Sequence, residues 1–258
     1  MAKKLLPVLL LICLSLPGFT QSRDADSPFR FGLNFNPLLT WNRTDKNFKP
    51  DGVKAGFEYG LNIHYYFFKN VGIETGFYMN HHGAKFVYNR DQILGTGANA
   101  DTANYRYNYN LNNIYAKIPL ALRFRTNLIG PVYLYGNFGV DFSFLVSSKL
   151  KFSGRDRNVH TSDKTVIEYA EDSYKISSAP VRIGLFLGGG VEYPISGSFS
   201  ITAALNYNYG FLNIVKDDLG SAKRPFVPNA GVNTYTYKTP DKEDIRTQYL
   251  GLSVGVLF

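Results

Sequence analysis

After its first apolar stretch the sequence contains no cysteine; the single Cys13 lies inside that stretch. Disulfides, thiolate metal sites and cysteine nucleophiles are therefore excluded from everything that follows, which suits export to an oxidising compartment. Also missing is any later apolar run approaching the roughly 20 residues of a spanning helix, so a helical membrane protein is excluded. The formal net charge is +8, two of those charges being Lys3 and Lys4, and no basic run stands out. Nothing in that pattern points to nucleic acid as a partner. Mean hydropathy is slightly negative, −0.16. Tyrosine, phenylalanine and glycine, by contrast, are plentiful, at 19, 20 and 24 residues. Two classes survive, a soluble β protein and a membrane β-barrel, whose alternating strands average to neutral hydropathy.

The chain opens "MAKKLLPVLLLICLSLPGFTQS". Two lysines, an apolar run of secretory length and then small and turn-forming residues predict a signal peptide over 1–20, with cleavage near Thr20 or Gln21. Ile12 is too large for the residue before a lipidated cysteine, so Cys13 is not expected to carry lipid. Residues 21–258 are enough for one large β domain.

Eight segments alternate apolar and polar with period two, at 29–41, 53–67, 71–84, 112–126, 132–150, 179–194, 198–213 and 246–258. That period is the mark of strands with one apolar face. The second, fourth and sixth are followed only by "FKN", "NLIGP" and "PISG", whereas long stretches follow the first, third, fifth and seventh. Short and long connections alternate without exception. The expected fold is all-β: an eight-stranded antiparallel up-and-down transmembrane barrel with short periplasmic turns and long extracellular loops.

Parity separates two faces. Phe29, Phe31, Leu33, Phe35, Ile114, Ile118, Leu120, Phe138, Phe142, Phe199 and Ile201 share the apolar one, which no charge interrupts. Arg30, Glu58, Glu74, Lys117, Arg123, Arg125, Asp141, Arg182 and Glu192 share the other with many Gly, Asn and Ser. A lipocalin-like soluble barrel would turn the apolar face inward. Against it, small residues mixed with a few large ones suit the crowded lumen of an eight-stranded barrel, and one or two charges per strand are too few for a soluble surface. The apolar face is therefore expected to meet lipid. The terminal segment "YLGLSVGVLF" has the same alternation, so it is expected to pair with the first strand and close the barrel.

With these residues in view, "YAKIPLALRFRTNLIGPVYLYGNFGVDF", "LGGGVEYPISGSFSITAALNYNYGFLNI" and the closing "LGLSVGVLF" resemble the PorT-like outer membrane β-barrel family of the Bacteroidetes. The resemblance covers essentially the whole chain after the leader. It implies an outer-membrane location and an accessory role in type IX secretion or envelope assembly, exercised through loops or the periplasmic rim, and it supplies no catalytic motif. Phe258 resembles the terminal aromatic read by barrel assembly machinery, although Ser253 stands where that signal commonly has Gly.

The candidate site is a lumen ion-pair network of Glu74, Arg123, Arg125, Asp141, Arg182 and Glu192, with a structural role. Glu74 is expected within salt-bridge reach of Arg123 or Arg125, and Glu192 or Asp141 to share the remaining guanidinium donors. His81 and His82 are neighbours on one strand, so they point to opposite faces and are not expected to chelate one ion. His160, near Ser162 and Asp163, falls in a loop without the fixed geometry of a triad. No catalytic residue, cofactor or metal is expected, and the chain is read as a monomer. Its expected partners are outer membrane lipids or lipopolysaccharide, the assembly machinery and secretion-system proteins. The loops at 105–113, 154–175 and 216–246 are rich in Tyr, Asn and mixed charge. They leave open a surface adhesion or ligand-binding role, and a narrow porin is the remaining alternative.

Overall fold

The computed structural model describes residues 28–44, 48–94, 101–157, 166–174, 178–214 and 244–258, and these form ten strands and no helix. They are β1 (Phe29–Thr44), β2 (Phe48–Pro50), β3 (Lys54–Phe68), β4 (Val71–Leu94), β5 (Asp101–Arg125), β6 (Tyr133–Arg157), β7 (Val166–Tyr174), β8 (Val181–Ser196), β9 (Phe199–Gly210) and β10 (Ile245–Leu257). Eight of them close a barrel in the order β1, β3, β4, β5, β6, β8, β9, β10 and back to β1, every pairing antiparallel. The short β2 and β7 add to β4 and β6. At the seam Phe31 and Phe258 exchange backbone hydrogen bonds of 2.9 and 2.8 Å. No edge is left open there. The proposed leader at 1–20 lies outside the described residues.

Period-two patterning sets the register because a one-residue slip would turn every side chain to the wrong face. Outward side chains are the apolar ones: Leu33, Phe35, Leu120, Phe138 and Leu252 are each about half exposed, while Arg30, Glu58, Asp141 and Arg182 are buried. Such a surface is stable only against hydrocarbon. Aromatic residues mark both ends of this band. Phe29 packs on Tyr65 at one end. At the other, Trp41 stacks on Tyr207 with ring centroids 6.2 Å apart, and both donate to Gln248 Oε1, at 2.9 and 3.1 Å. An apolar ring with a polar tip fits an interface between hydrocarbon and water.

Tight connections join β3 to β4, β5 to β6 and β8 to β9, the last two with Gly130 and Gly197 at φ 59° and 58°. Side chains rarely adopt that conformation, so glycine holds both turns. This is the turn end of the barrel.

The opposite, distal end differs from the sequence reading. Residues 105–113, taken there as a loop, continue β5, and 154–157 continue β6. Strands β4, β5 and β6 reach 24, 25 and 25 residues. About 9–11 suffice to cross a bilayer, so the three project well past it as a twisted sheet flanked by β2 and β7. Tyr105, Tyr107, Tyr109 and Leu111 keep period two across this stretch. Beside the inward Tyr109 and Leu111, Asn108, Asn110 and Asn112 face outward and are polar because they lie beyond the apolar band.

Candidate functional site in the lumen

Inward parity places charged groups in three clusters along the lumen. Nearest the turn end, Arg123 is the hub. Its Nη1 donates to Glu74 Oε2 at 2.8 Å, its Nε to the Tyr66 hydroxyl at 2.8 Å, and its Nη2 lies 3.6 Å from Glu192 Oε2. The guanidinium carbon sits 3.6 Å from the centroid of the Tyr135 ring. Glu192 also receives Arg30, and Arg125 Nη1 approaches it at 3.7 Å. Arg30 is held further by Ser198 O and Ser200 Oγ at 2.9 and 2.8 Å, and Glu74 meets His64 Nε2 at 3.3 Å. Arg125 lies over the rings of Tyr66 and Tyr133. Guanidinium is the cation suited to this setting, since its planar face stacks while its edge donates.

In the middle, Lys117 Nζ lies 2.6 Å from Glu58 Oε2, and Glu58 also accepts from Asn36 and Asn80 at 2.8 and 2.5 Å. Toward the distal end, Arg182 Nη1 donates to Asp141 Oδ1 at 3.1 Å, and Asp141 also takes Ser143 and Asn208. Arg182 reaches Thr247 on β10 as well, through Oγ1 at 3.2 Å. Asp141 therefore belongs with Arg182, remote from the Arg123 hub, and Glu192 alone supplies that hub with its second carboxylate. Buried charges persist only when paired and hydrogen-bonded.

Parity placed all six sequence-chosen residues inward, but three bonded partners were left out of the network: Arg30, and the Glu58 and Lys117 pair. Only cross-strand register could have joined them. The intervening space is a polar cavity lined by Asn34, Asn36, Asn62, Tyr78, Asn206 and Ser253. Amides lie flat here because glycine stands opposite. Asn34 faces Gly255 in register, and a Cβ on Gly255 would come within 1.7 Å of Asn34 Oδ1.

Beyond Arg182 the interior changes chemistry. Phe48 of β2, Ala84 and Phe86 of β4, Leu111 of β5, Leu150 of β6, Ile245 of β10 and Ile214 beyond β9 form a buried apolar cluster with Tyr109 against it. Phe48 meets Phe86 edge-on at 5.3 Å, and Phe86 stacks on Tyr109 at 5.2 Å. This cap lies inside the barrel on the distal side of the charged lumen. The sequence reading missed it, because Phe48 lies between its first two segments. His82 points inward beneath the cap and stacks on Tyr115, whereas His81 faces outward against Phe57. Among the described residues no group of three His, Cys, Asp or Glu is placed to hold a metal. His160 lies outside the described residues.

A closed eight-stranded barrel with an apolar outer band and a charged lumen defines the class of outer-membrane barrels. Residues 19–216 match the outer membrane protein beta-barrel domain family, and the chain belongs to it. No curated protein matches the sequence. Among solved structures, OprG from Pseudomonas aeruginosa is similar at 14% identity and TM-score 0.44, over 92% of this chain and 99% of that one. Ail of Yersinia pestis, solved with the heparin analogue sucrose octasulfate, is similar at 16% identity and TM-score 0.36, over 90% of this chain and 100% of that one. The outer membrane protease OmpT from Escherichia coli is similar at 10% identity and TM-score 0.37, over 93% of this chain and 99% of that one.

Proposed function

We propose that this outer-membrane barrel is a non-enzymatic binding protein that presents the distal sheet of β4, β5 and β6 outside the cell while its lumen stays shut. The observation that carries this reading is strand length. Three adjacent strands continue far beyond the apolar band, and ordered backbone there has no role in crossing the membrane. Diffusion through the lumen is opposed twice, by the paired charges among the side chains that fill an eight-stranded interior and by the apolar cap. The resemblance of 115–142 and 187–214 to PorT-like barrels supports a second reading, an accessory role in type IX secretion exercised at the turn end.

One experiment separates the two. A photo-crosslinking residue is placed in cells at Asn108 or Ser153 on the distal sheet, and at Lys69 or Asn127 at the turn end. Crosslinked partners from the distal positions support surface binding. Partners from the turn positions alone support the secretion role and overturn the first reading.

A further inference from the structure

The outward face of the distal sheet carries a group of lysines immediately past the aromatic band. Register aligns Lys85 of β4, Asn110 of β5 and Lys151 of β6 in one row, and Gly83, Asn112 and Lys149 in the row nearer the membrane. The next row is His81, Ile114 and Ser147, where His81 stacks on Phe57 and Tyr59. Neighbouring strands are about 4.8 Å apart, so Lys85 and Lys151 flank Asn110 at a separation suited to one polyvalent anion.

Lys54 completes the group. Its Nζ crosses over Gly83, where an added Cβ would meet it at 2.9 Å, and donates to Asn110 Oδ1, Leu111 O and Asn112 Oδ1 at 2.5, 2.7 and 2.6 Å. Both amide oxygens are thereby committed to a cation, and each amide turns its Nδ2 donor away from Lys54. Burial, with Lys85 and Lys151 close by, lowers the Lys54 ammonium from its usual value to about 8. Like charges have been gathered here at a cost. Lys85 and Lys149 make no ion pair with a described residue, and no Asp or Glu stands on the outward face of β4, β5 or β6 across these rows.

We infer that Lys85, Lys149 and Lys151, with the Asn110 and Asn112 amides between them, form a docking site for the phosphorylated headgroup of an outer-leaflet lipid. Two observations select that occupant: the positive charge, and direct continuity with the lipid-facing band, which puts the rows at headgroup height. An anionic soluble polymer would have no reason to meet a patch bordering hydrocarbon. The inference rests on the reading that the distal end faces outside.

The test is native mass spectrometry of the full barrel in detergent, titrated with bisphosphoryl lipid A, monophosphoryl lipid A or phosphatidylcholine. Bisphosphoryl lipid should bind best and phosphatidylcholine least. The combined Lys85→Gln, Lys149→Gln and Lys151→Gln variant should lose roughly fivefold per lysine, on the order of a hundredfold in all. The corresponding Arg variant should retain binding, and Lys69→Gln at the turn end should have no effect. Heat-modifiable gel mobility confirms that each variant is folded. Equal affinity of the triple Gln variant and the unaltered protein overturns the inference. So does displacement of the lipid by millimolar inorganic phosphate, which would mark a general anion site. Failure of the underlying topology is distinguishable: maleimide labelling on intact cells would then reach the turn end, whatever the lipid result.

Discussion

Breaking the Glu74 and Arg123 pair is the sharpest perturbation of the lumen. Both side chains are buried, 2.8 Å apart, and share a hydrogen bond that nothing else in the cluster duplicates. Glu74→Gln leaves the Arg123 guanidinium with Tyr66 and the 3.6 Å approach to Glu192. Arg123→Gln leaves Glu74 with only His64, at 3.3 Å. An uncompensated buried charge costs about 3–5 kcal/mol when one partner is removed. The carboxylate has the poorer substitute, so Arg123→Gln should be the more damaging, near the upper end of that range. The double variant buries two neutral amides and should cost less than the sum of the singles by at least about 2 kcal/mol, far above the roughly 0.5 kcal/mol expected of independent sites. Urea unfolding in detergent micelles, followed by fluorescence of Trp41, the only tryptophan, measures all three variants on one scale. Additivity within about 0.5 kcal/mol would refute the reasoning, since it would mean that the two groups do not sense each other.

The face assignment predicts that Leu120→Arg, at an outward position half exposed to lipid, costs about 2–4 kcal/mol near mid-bilayer, whereas Ala121→Ser, facing the lumen, is tolerated; yields of folded barrel on heat-modifiable gels measure both. Phe86→Ala removes the centre of the cap and should cost about 3–5 kcal/mol; planar-bilayer recordings should show current fluctuations that the unaltered barrel lacks. The amine of Lys54, lowered to about 8, should acylate with a pH midpoint close to that value, because half of it is the neutral nucleophile there; residue-resolved mass spectrometry across pH 7 to about 11 reads this directly.

The barrel was legible in the sequence wherever period two coincided with strong hydropathic contrast. Segments such as 29–41 and 246–258 fall within a few residues of β1 and β10, because a lipid-facing Phe beside a luminal Arg or Gly leaves no second register. Contrast disappears beyond the membrane, where Tyr and Asn alternate. There the same geometry reads as a polar loop, and β4 beyond residue 84, β5 before residue 112 and β6 beyond residue 150 were missed for that reason. In the lumen, parity identifies which charges point inward, but pairing depends on stagger between strands remote in sequence. Arg30 and Glu192 are 162 positions apart, and no local pattern could join them. The cap is harder still, because Phe48 sits on a three-residue strand that belongs to none of the alternating segments.

The central claim is that the distal sheet stands outside the cell and the turns face inward. Single cysteines at Asn108 and Ser153 on that sheet, and at Lys69 and Asn127 in the turns, test it most directly, because no cysteine follows Cys13 in the sequence. Treated on intact cells with a membrane-impermeant maleimide, the first two should label and the last two should label only after the outer membrane is permeabilised. Labelling of Lys69 and Asn127 alone on intact cells would contradict the account and invert the barrel.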